Sequence, residues 1–551
     1  MNDRTRLLLL QVALVLGVCY FFFFFGLGAF GLTGADEPRY AQIAREMLAR
    51  HDWVVPTLNG SPWLEKPVLL YWKIINSYRI FGVVDWAARV PAAAFATTLV
   101  LAIFFFMRRF RFTSELDAAL ITASSAGMIG FGRGASTDML LSAPFAMAML
   151  SWWTWQQTGK KLWLALFYAL LGVGALAKGP VAPALAVLVI GAYAALRRDG
   201  KVFLRTISVP GLALFFAIAL PWYLILQHRV PQFFRVFFLE HNLERFGTNL
   251  YQHAQPFWYY IPVFLLATVP WTVFTVPAIV NAAQRAIQNV RGNISRDPSG
   301  VVNVEEDPLP LFLLVWTLAP IVFFSISRSK LPGYILPSIP AAALLTADYL
   351  HRAQGVSRLK VSLHSLLCAV LMVGALMAPF ALAKQNPHPA MQYGMSIFGA
   401  VIAVMVLLMV RREGVRVLHF VTLVPTILGL AFLLKPAAPV LDRALSSRAV
   451  QARLVELGQG EGPVAVFHVR RDIVYGLNFY RNQPITYYDD GPADMPPKAP
   501  PGPKPLPGKH LVIAPQGSYA EVQKQLGSRA VASIGDFPAR RLEFFLVGAA
   551  K

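Results

Sequence analysis

Charged residues and cysteines are scarce in this chain of 551 residues. Asp, Glu, Lys and Arg make up 14% of the sequence and hydrophobic residues 56%, and the mean hydropathy is +0.51. A soluble globular protein cannot bury so large an apolar fraction behind so few charges, so the composition predicts a polytopic membrane protein. The only two cysteines, Cys19 and Cys368, fall in hydrophobic runs, which excludes a disulfide framework and a cysteine metal site.

Acidic residues are the scarcer of the two charge types. The chain has 29 Asp and Glu against 50 Lys and Arg, giving a formal net charge of +21. In a soluble protein this excess would indicate nucleic-acid binding, but the sequence has no RNA-binding motif or structured basic domain. Much of the positive charge lies in short turns between hydrophobic runs, as in cytoplasmic loops, and the rest can meet anionic lipid headgroups. Walker and Rossmann fingerprints are absent as well.

The hydrophobic runs and the Lys/Arg clusters between them predict the topology. A first run over residues 7–32 lacks a small-residue cleavage site, so we expect a retained anchor that leaves Asp36 outside the cell's cytoplasm. About thirteen spans follow one another up to residue 435. The odd number puts residues 436–551 on the same side as Asp36. Their pattern predicts a small α/β domain, with strands at 464–467 and 510–513 and a helix at 519–526.

Two adjacent carboxylates, Asp36 and Glu37, stand where the first span leaves the membrane. Ionisable groups at this depth are costly and usually mark a functional site. The sequence that follows predicts an amphipathic interfacial helix, with Tyr40 on its apolar face and Arg39 and Gln42 on its polar face. One of the two acids is expected to cap this helix, with Pro38 in the first turn. Capping does not explain why both acids are present.

Two outer loops, residues 36–85 and 228–256, are longer than a turn requires and rich in aromatic residues, so we expect them to be functional. In the first loop, Lys66 and Pro67 precede a predicted interfacial helix at 68–81, whose N-terminus together with the lysine would suit a lipid phosphate. The alternative is a lysine that snorkels to the interface. Glu65 of the first loop and His253 of the second loop could ligate a divalent metal such as zinc. The alternative is that both side chains form ordinary hydrogen bonds.

Further charges occur at the outer ends of other spans. They are Arg133 with Asp138, Lys178, and Lys330 followed by Tyr334. A single basic residue at the end of a span is usually an anchor. Several on one membrane face, together with two acids, favour a site for an anionic substrate.

These motifs resemble the GT-C glycosyltransferases that use lipid-phosphate sugars. The resemblance covers the membrane part, residues 7–435, and within the family it is closest to the aminoarabinose transferases of lipid A. The matching segments are 36–41 (DEPRYA), 45–48 (REML), 65–67 (EKP), 240–246 (EHNLERF), 253–260 (HAQPFWYY) and 329–336 (SKLPGYIL).

The resemblance implies thirteen spans, a site at the periplasmic face of the bacterial inner membrane and a periplasmic C-terminal domain. It implies undecaprenyl phosphate carrying 4-amino-4-deoxy-L-arabinose as donor and a lipid A phosphate as acceptor. Asp36 would be the leading catalytic residue, Asp138 would assist near the sugar, and Lys66 and Arg39 would bind the donor phosphate. The remaining polar groups assigned to substrate binding are Glu37, Arg133, Lys178, Arg245, Lys330 and Tyr334.

Several alternatives remain at this stage. If the acceptor is a hydroxyl, Asp36 would act as a general base. If the acceptor is a phosphate, which is already anionic, Asp36 would instead be an electrostatic partner of the sugar. A related enzyme could move another sugar to a protein or glycan hydroxyl. A lipid transporter is the alternative from another class, but it would be expected to place charges near the bilayer midplane. The C-terminal domain is predicted to support acceptor access or stability and to carry no catalytic group.

Overall fold

The computed structural model describes residues 2–237, 255–292, 307–352, 357–382, 394, 397–399, 401–402, 404–405, 418–488 and 506–548. Most of them are helical. The membrane part contains the helices α1 Asp3–Cys19, α2 Asp36–Ala49, α3 Leu69–Phe81, α4 Asp85–Phe110, α5 Glu115–Ser124, α6 Ala126–Gly132, α7 Thr137–Thr158, α8 Lys161–Lys178, α9 Val181–Leu196, α10 Gly200–Thr206, α11 Val209–Arg229, α12 Tyr260–Ala267, α13 Thr272–Gly292, α14 Leu309–Ile326, α15 Ile339–Arg352, α16 Arg358–Leu382 and α17 Leu418–Leu434. A short hairpin, β1 Thr57–Leu58 and β2 Ser61–Pro62, lies between α2 and α3.

Six helices of the described ranges are long and apolar enough to cross a membrane, and the bent pair Leu418–Leu434 and Ala438–Leu445 would make a seventh. The multi-pass character is therefore confirmed, while thirteen spans stay a prediction. One predicted span, 116–129, is broken into α5 and α6 at Ser125. The hydroxyls of Ser124 and Ser125 donate to carbonyls four residues earlier, an arrangement that bends helices. The backbone N–H of Ala126 donates instead to the Val269 carbonyl, 2.8 Å away.

The first span is shorter than the predicted 7–32. Helix α1 continues as a π-helix, Tyr20–Phe24, and the chain then turns at Gly26 with a φ of +66°. Arg133 donates to the carbonyl oxygens of Phe22 and Phe25 at 3.0 and 2.8 Å. Because these carbonyls lie at the helix end, where intrahelical donors run out, Arg133 satisfies groups that the bilayer could not.

Both predicted interfacial helices are present as α2 and α3, although their first residues differ from the prediction. Neither acid caps α2, since Ala35 occupies the N-cap position without a side-chain hydrogen bond. The predicted polar face of α2 is also wrong in part, because Arg39 and Gln42 are buried. Their burial has a tertiary cause, a helix of the C-terminal domain that packs on α2.

The C-terminal α/β domain is present as predicted. Its helices are α18 Ala438–Leu445, α19 Arg448–Glu456, α20 Arg471–Arg481 and α21 Tyr519–Leu526, and its strands are β3 Val464–Val466, β4 Thr486–Tyr487, β5 His510–Pro515, β6 Val531–Phe537 and β7 Leu542–Val547. The sheet order is β4-β3-β5-β7-β6, with parallel pairs around β3 and antiparallel pairs on both sides of β7. Strand β5 is buried along its first five residues, which explains its continuous apolar sequence.

The C-terminal domain docks against the C-terminal end of the first span and against α2. Arg448 pairs with Asp85 at 3.0 Å, and Asp442 accepts a hydrogen bond from the backbone N–H of Gly31 at 2.7 Å. Arg45 of α2 donates to the Phe479 carbonyl of α20 at 2.7 Å. The sheet domain therefore lies against the same helix that carries Asp36 and Glu37.

Candidate active site

Asp36 and Arg39 form an ion pair in the first turn of α2. The guanidinium nitrogen lies 2.5 Å from the carboxylate oxygen, and the Asp36 side chain is 57% exposed while that of Arg39 is 8% exposed. Three rings surround the guanidinium, with centroids 5.1 Å (Tyr40), 4.9 Å (Trp63) and 5.4 Å (Tyr475) from its carbon. The arrangement presents a carboxylate to solvent and holds it from behind with an enclosed cation.

The electrostatics keep Arg39 charged in its enclosure. Burial opposes the charge, but Asp36, Tyr40 and Glu65 outweigh it and hold the pKa of Arg39 well above its usual range. Burial also raises the pKa of Tyr71, which therefore stays a neutral hydroxyl.

Polar atoms without a protein partner collect around this pair. Arg39 Nε, Trp63 Nε1 and Tyr71 Oη are buried and have no hydrogen-bond partner among the residues that the structure describes. Tyr40 lies beside them, with its ring 6.1 Å from that of Tyr71 and 5.1 Å from the Arg39 guanidinium, and its hydroxyl accepts a hydrogen bond from Arg39. Unsatisfied buried donors are costly, so a cluster of them at one place indicates a site for ordered water or for a ligand with acceptor oxygens.

Glu37 turns away from this enclosure and pairs with Arg89 of α4. One carboxylate oxygen lies 2.9 Å from Arg89 Nε and the other 2.7 Å from Arg89 Nη2. The carboxylate also accepts from the backbone N–H groups of Thr33 and Ala135, both at 2.8 Å. Burial raises the pKa of Glu37, but the attraction of Arg89 and these hydrogen bonds lower it below its usual range. Substrate binding by Glu37 stays a prediction, and the geometry favours a structural role.

A second carboxylate–cation pair is formed by Asp138 and Lys178. Lys178 Nζ lies 2.5 Å from Asp138 Oδ1 and 4.6 Å from the centroid of the Tyr334 ring, so three predicted site residues meet. Asp138 lies in the first turn of α7, three residues after Ala135, whose N–H donates to Glu37. The start of α7 is thereby fixed to the start of α2, and the two pairs belong to one region of the molecule.

Gly333 leaves the space that Asp138 occupies. A Cβ atom on Gly333 would lie 2.7 Å from Asp138 Cγ and 2.8 Å from Phe131 Cε1, closer than real carbon contacts. We expect Gly333→Ala to displace the Asp138 carboxylate from Lys178 and to lower turnover about tenfold or more, with little effect on folding. Turnover of the purified variant measures this effect, with Gly130→Ala, where a Cβ meets open space, as the matched control. Equal activity of the two variants would contradict a catalytic or orienting role for the Asp138–Lys178 pair.

Comparison with known proteins shows the family to which the chain belongs. The model of the dolichyl-phosphate-mannose-protein mannosyltransferase family matches residues 9–237. An undecaprenyl phosphate-alpha-4-amino-4-deoxy-L-arabinose arabinosyl transferase from Enterobacter sp. (strain 638) is 31% identical over 437 residues, which are 76% of this chain and 74% of that protein. The chain belongs to this arabinosyl transferase family.

A second relative and a solved structure are also similar to the chain. The protein of the same name from Edwardsiella ictaluri is 30% identical over 66% of this chain, and the match spans 65% of the relative's own length, just under two thirds. The crystal structure of ArnT from Cupriavidus metallidurans bound to undecaprenyl phosphate has a TM-score of 0.76, covers 98% of both chains and is 23% identical. This likeness shows that the chain has the ArnT-like GT-C fold.

Two further residues expected to bind substrate contact backbone oxygens instead. Arg133 holds the end of the first span through the carbonyls of Phe22 and Phe25. Lys330 is 6% exposed and donates to the carbonyls of Ser327 and Gln255. Both side chains stabilise irregular backbone at the ends of spans, where carbonyls lack intrahelical donors. A direct contact of either with substrate stays a prediction.

Lys66 lies in the turn before α3, a little farther from the helix than the sequence predicts. The N-cap of α3 is Val68, so Pro67 precedes the helix and is not in its first turn. The neighbouring Glu65 is close enough to Arg39 to stabilise its charge. Lys66 therefore belongs to the same loop as the enclosure, since Trp63 contributes one of its rings.

The metal prediction and part of the second outer loop fall outside the described residues. His253, Glu240, His241 and Arg245 lie within 238–254, which the structure does not describe. Within the described ranges, no group of three or more His, Cys, Asp or Glu side chains is placed to hold a metal ion. Glu65 with His253 as metal ligands, and Arg245 as a substrate ligand, stay predictions.

The site includes residues that the sequence analysis did not single out, namely Arg89, Trp63, Tyr71 and Tyr475. Arg89 had a usable signal, because an arginine in an otherwise apolar helix such as α4 is costly and demands a partner. The three aromatic residues had none, since aromatic side chains near a membrane surface are common. Tyr475 comes from a part of the chain for which no family motif was recognised.

Proposed function

We propose that the chain transfers 4-amino-4-deoxy-L-arabinose from undecaprenyl phosphate to a phosphate of lipid A at the periplasmic face of the bacterial inner membrane. The names of its family members support this donor sugar and carrier. The observation that carries the proposal is the exposed Asp36 carboxylate held by an enclosed Arg39, next to the Asp138–Lys178 pair. Thirteen spans and a periplasmic C-terminal domain are part of the proposal.

In this reaction, an oxygen of the acceptor phosphate attacks C1 of the sugar. The bond between C1 and the donor phosphate oxygen breaks, and undecaprenyl phosphate leaves with the electron pair. The acceptor is anionic and needs no base, so Asp36 acts as an electrostatic partner for the positive charge that develops on the sugar or for its ammonium group. Lys66 and Arg39 stabilise the charge on the leaving phosphate. Nothing in this scheme requires a nucleotide or a redox cofactor.

A second candidate reaction is supported by the family model that matches residues 9–237, whose description names mannose transfer to protein. The acceptor would then be a hydroxyl of a protein or glycan, which must lose a proton as it attacks C1. Asp36 would accept that proton as a general base. The two reactions therefore predict different pH dependences, because only the second requires a base of suitable pKa.

The experiment that tests the function uses the purified protein with undecaprenyl phosphate–aminoarabinose and a lipid A acceptor, followed by mass spectrometry. Addition of one aminoarabinose to a lipid A phosphate is the expected result. Transfer to a hydroxyl group of a peptide or glycan, with lipid A unchanged, would support the second candidate.

In cells, each added amine is protonated near neutral pH and lowers the attraction of the cell surface for cationic peptides such as polymyxin.

The proposed orientation is tested by labelling. A single cysteine introduced at Gly458, which lies in the C-terminal domain and would place its Cβ in open space, should react with a membrane-impermeant reagent from the periplasm. A cysteine at Thr113, between α4 and α5, should react only after the membrane is permeabilised. Reaction of the Gly458 position only after permeabilisation would contradict the proposed orientation.

Lys66 is expected to serve donor binding. Lys66→Ala removes a full charge from the loop that also carries Trp63, so it should weaken binding of undecaprenyl phosphate about tenfold and lower turnover as well. Binding is measured on the folded variant, and Lys73→Ala, on the following helix, is the matched control. Unchanged lipid-phosphate affinity of Lys66→Ala would support the alternative of a snorkelling lysine.

A further inference from the structure

The C-terminal domain contributes an aromatic ring, that of Tyr475, to the enclosure of Arg39. Tyr475 of α20 lies 5.4 Å from the guanidinium carbon of Arg39, on which the rings of Tyr40 and Trp63 also lie. The three rings come from α2, from the loop before α3 and from the C-terminal domain. The enclosure of Arg39 is therefore complete only when the C-terminal domain is docked.

Several contacts made by the last turn of α20, just after Tyr475, hold this helix against the membrane part. Arg45 donates to the Phe479 carbonyl at 2.7 Å and lies over the Phe479 ring at 4.4 Å. The Tyr480 hydroxyl accepts from the backbone N–H of Leu32 at 2.8 Å, and Asn478 donates to Asn59 at 2.8 Å. Because the last turn of α20 is held in this way, the Tyr475 ring one turn earlier has a defined place against Arg39.

Arg39 needs such a constraint. It is a long side chain whose ion-pair partner, Asp36, is 57% exposed, and exposed ion pairs alone hold a geometry weakly. Cation–π contacts are stronger where water is excluded, as in this enclosure. The rings therefore fix the guanidinium more effectively than the carboxylate does. By fixing the guanidinium, the rings also fix the position of the Asp36 carboxylate that pairs with it. They likewise fix the direction of the Arg39 Nε–H, which has no hydrogen-bond partner among the described residues.

We propose that Tyr475 is a positioning residue for this site: its ring holds the Arg39 guanidinium against Asp36 and the lipid phosphate. The inference rests on the proposed function and extends it to the C-terminal domain. Docking of that domain then completes the site without contributing a catalytic group. This role differs from the acceptor access or stability predicted from the sequence, which stays a prediction.

The test uses the full-length protein in detergent, with undecaprenyl phosphate as a non-reacting probe and aminoarabinose transfer as the second measurement. Tyr475→Leu should weaken lipid-phosphate binding about threefold to tenfold and lower kcat about tenfold. Tyr475→Phe, which keeps the ring but removes a hydroxyl that also interacts with Arg39, should restore part of both. In an Arg39→Lys background, Tyr475→Leu should cause no further loss of binding, because the guanidinium that the ring positions is gone.

Tyr480→Phe is the matched control, since it removes a hydroxyl that contacts Leu32 and Asp85 in the same interface but does not lie on Arg39. It should bind and turn over like the parent protein. The inference would be overturned if binding and kcat of Tyr475→Leu stayed within twofold of the parent. It would also be overturned if Tyr475→Leu weakened binding as much in the Arg39→Lys background as in the parent. A parent protein that binds the lipid phosphate and transfers no sugar would refute the proposed function, while the binding comparison would still decide the role of Tyr475.

Discussion

Asp36→Asn is expected to give a folded protein that binds undecaprenyl phosphate and has lost about 99% or more of its turnover. The substitution is nearly isosteric and removes only the charge. Asp36 is the exposed member of its ion pair, so its carboxylate is available to the sugar in the transition state. Loss of one preorganised electrostatic contact to the transition state costs roughly 10²- to 10³-fold in rate. Single-turnover transfer and lipid-phosphate binding, measured on the same preparation, separate the two effects.

The alternative explanation of Asp36 as a structural residue makes the opposite prediction. The N-cap of α2 is Ala35, so Asp36→Asn does not remove a cap, and a partly exposed ion pair contributes only about 0–1 kcal/mol to stability. Asp52→Asn is the matched control, because Asp52 is an aspartate of the following loop that pairs with Arg229. If Asp36→Asn melted several degrees lower and turned over normally below its melting point, Asp36 would be structural.

The sequence predicts the local elements of this region well. Helices α2 and α3 and the strands β3 and β5 of the C-terminal domain follow from hydrophobic patterns, which are a property of neighbouring residues, whereas β4, β6 and β7 were not predicted. The grouping of Asp138, Lys178 and Tyr334 was foreseen only as charges at one membrane face, and the structure shows their contacts. Such grouping is predictable because the outer ends of spans lie at one depth.

The partners of individual side chains were not predictable in the same way. Arg133, Lys330 and Glu37 were all expected to bind substrate, yet the structure shows them engaged with backbone groups or with Arg89. These contacts are needed because the backbone is irregular after the π-helix and around the ends of spans. The hydrophobic pattern of the sequence does not reveal such irregularities. The contact of Tyr475 with Arg39 joins residues more than 400 positions apart, and no local pattern encodes it.

The adjacent acids of α2 therefore divide into two roles. Asp36 is exposed and paired at the surface, whereas Glu37 is buried and connects α2 to α4, to the turn at Thr33 and to the start of α7 at Ala135. These connections place the helix that carries Asp36 next to the helix that carries Asp138. The second acid, which capping did not explain, is accounted for by this connection.

Glu37→Gln is accordingly expected to have the largest effect on stability. It removes the carboxylate that pairs with the Arg89 guanidinium, which is 4% exposed, and breaking a buried ion pair from one side costs about 3–5 kcal/mol. Glu46→Gln is the matched control, because Glu46 lies on the same helix and accepts hydrogen bonds from Thr57 and the N–H of Asn59, so the same change should cost only about 1 kcal/mol. Thermal unfolding in detergent compares the two variants.

The pH dependence of stability gives a second measurement of the same contact. The folded pKa of Glu37 is lowered, so the carboxylate contributes its full stability above the unfolded pKa of about 4.3 and loses it as pH falls through the folded pKa. The parent protein should therefore lose thermal stability below about pH 4.3, and Glu37→Gln should lose less over the same interval because it has no carboxylate to protonate. Melting temperatures of Glu37→Gln and Glu46→Gln that agree within a degree, with parallel pH profiles, would show that Glu37 does not connect these helices. The positions of Asp36 and Asp138 would then depend on other contacts.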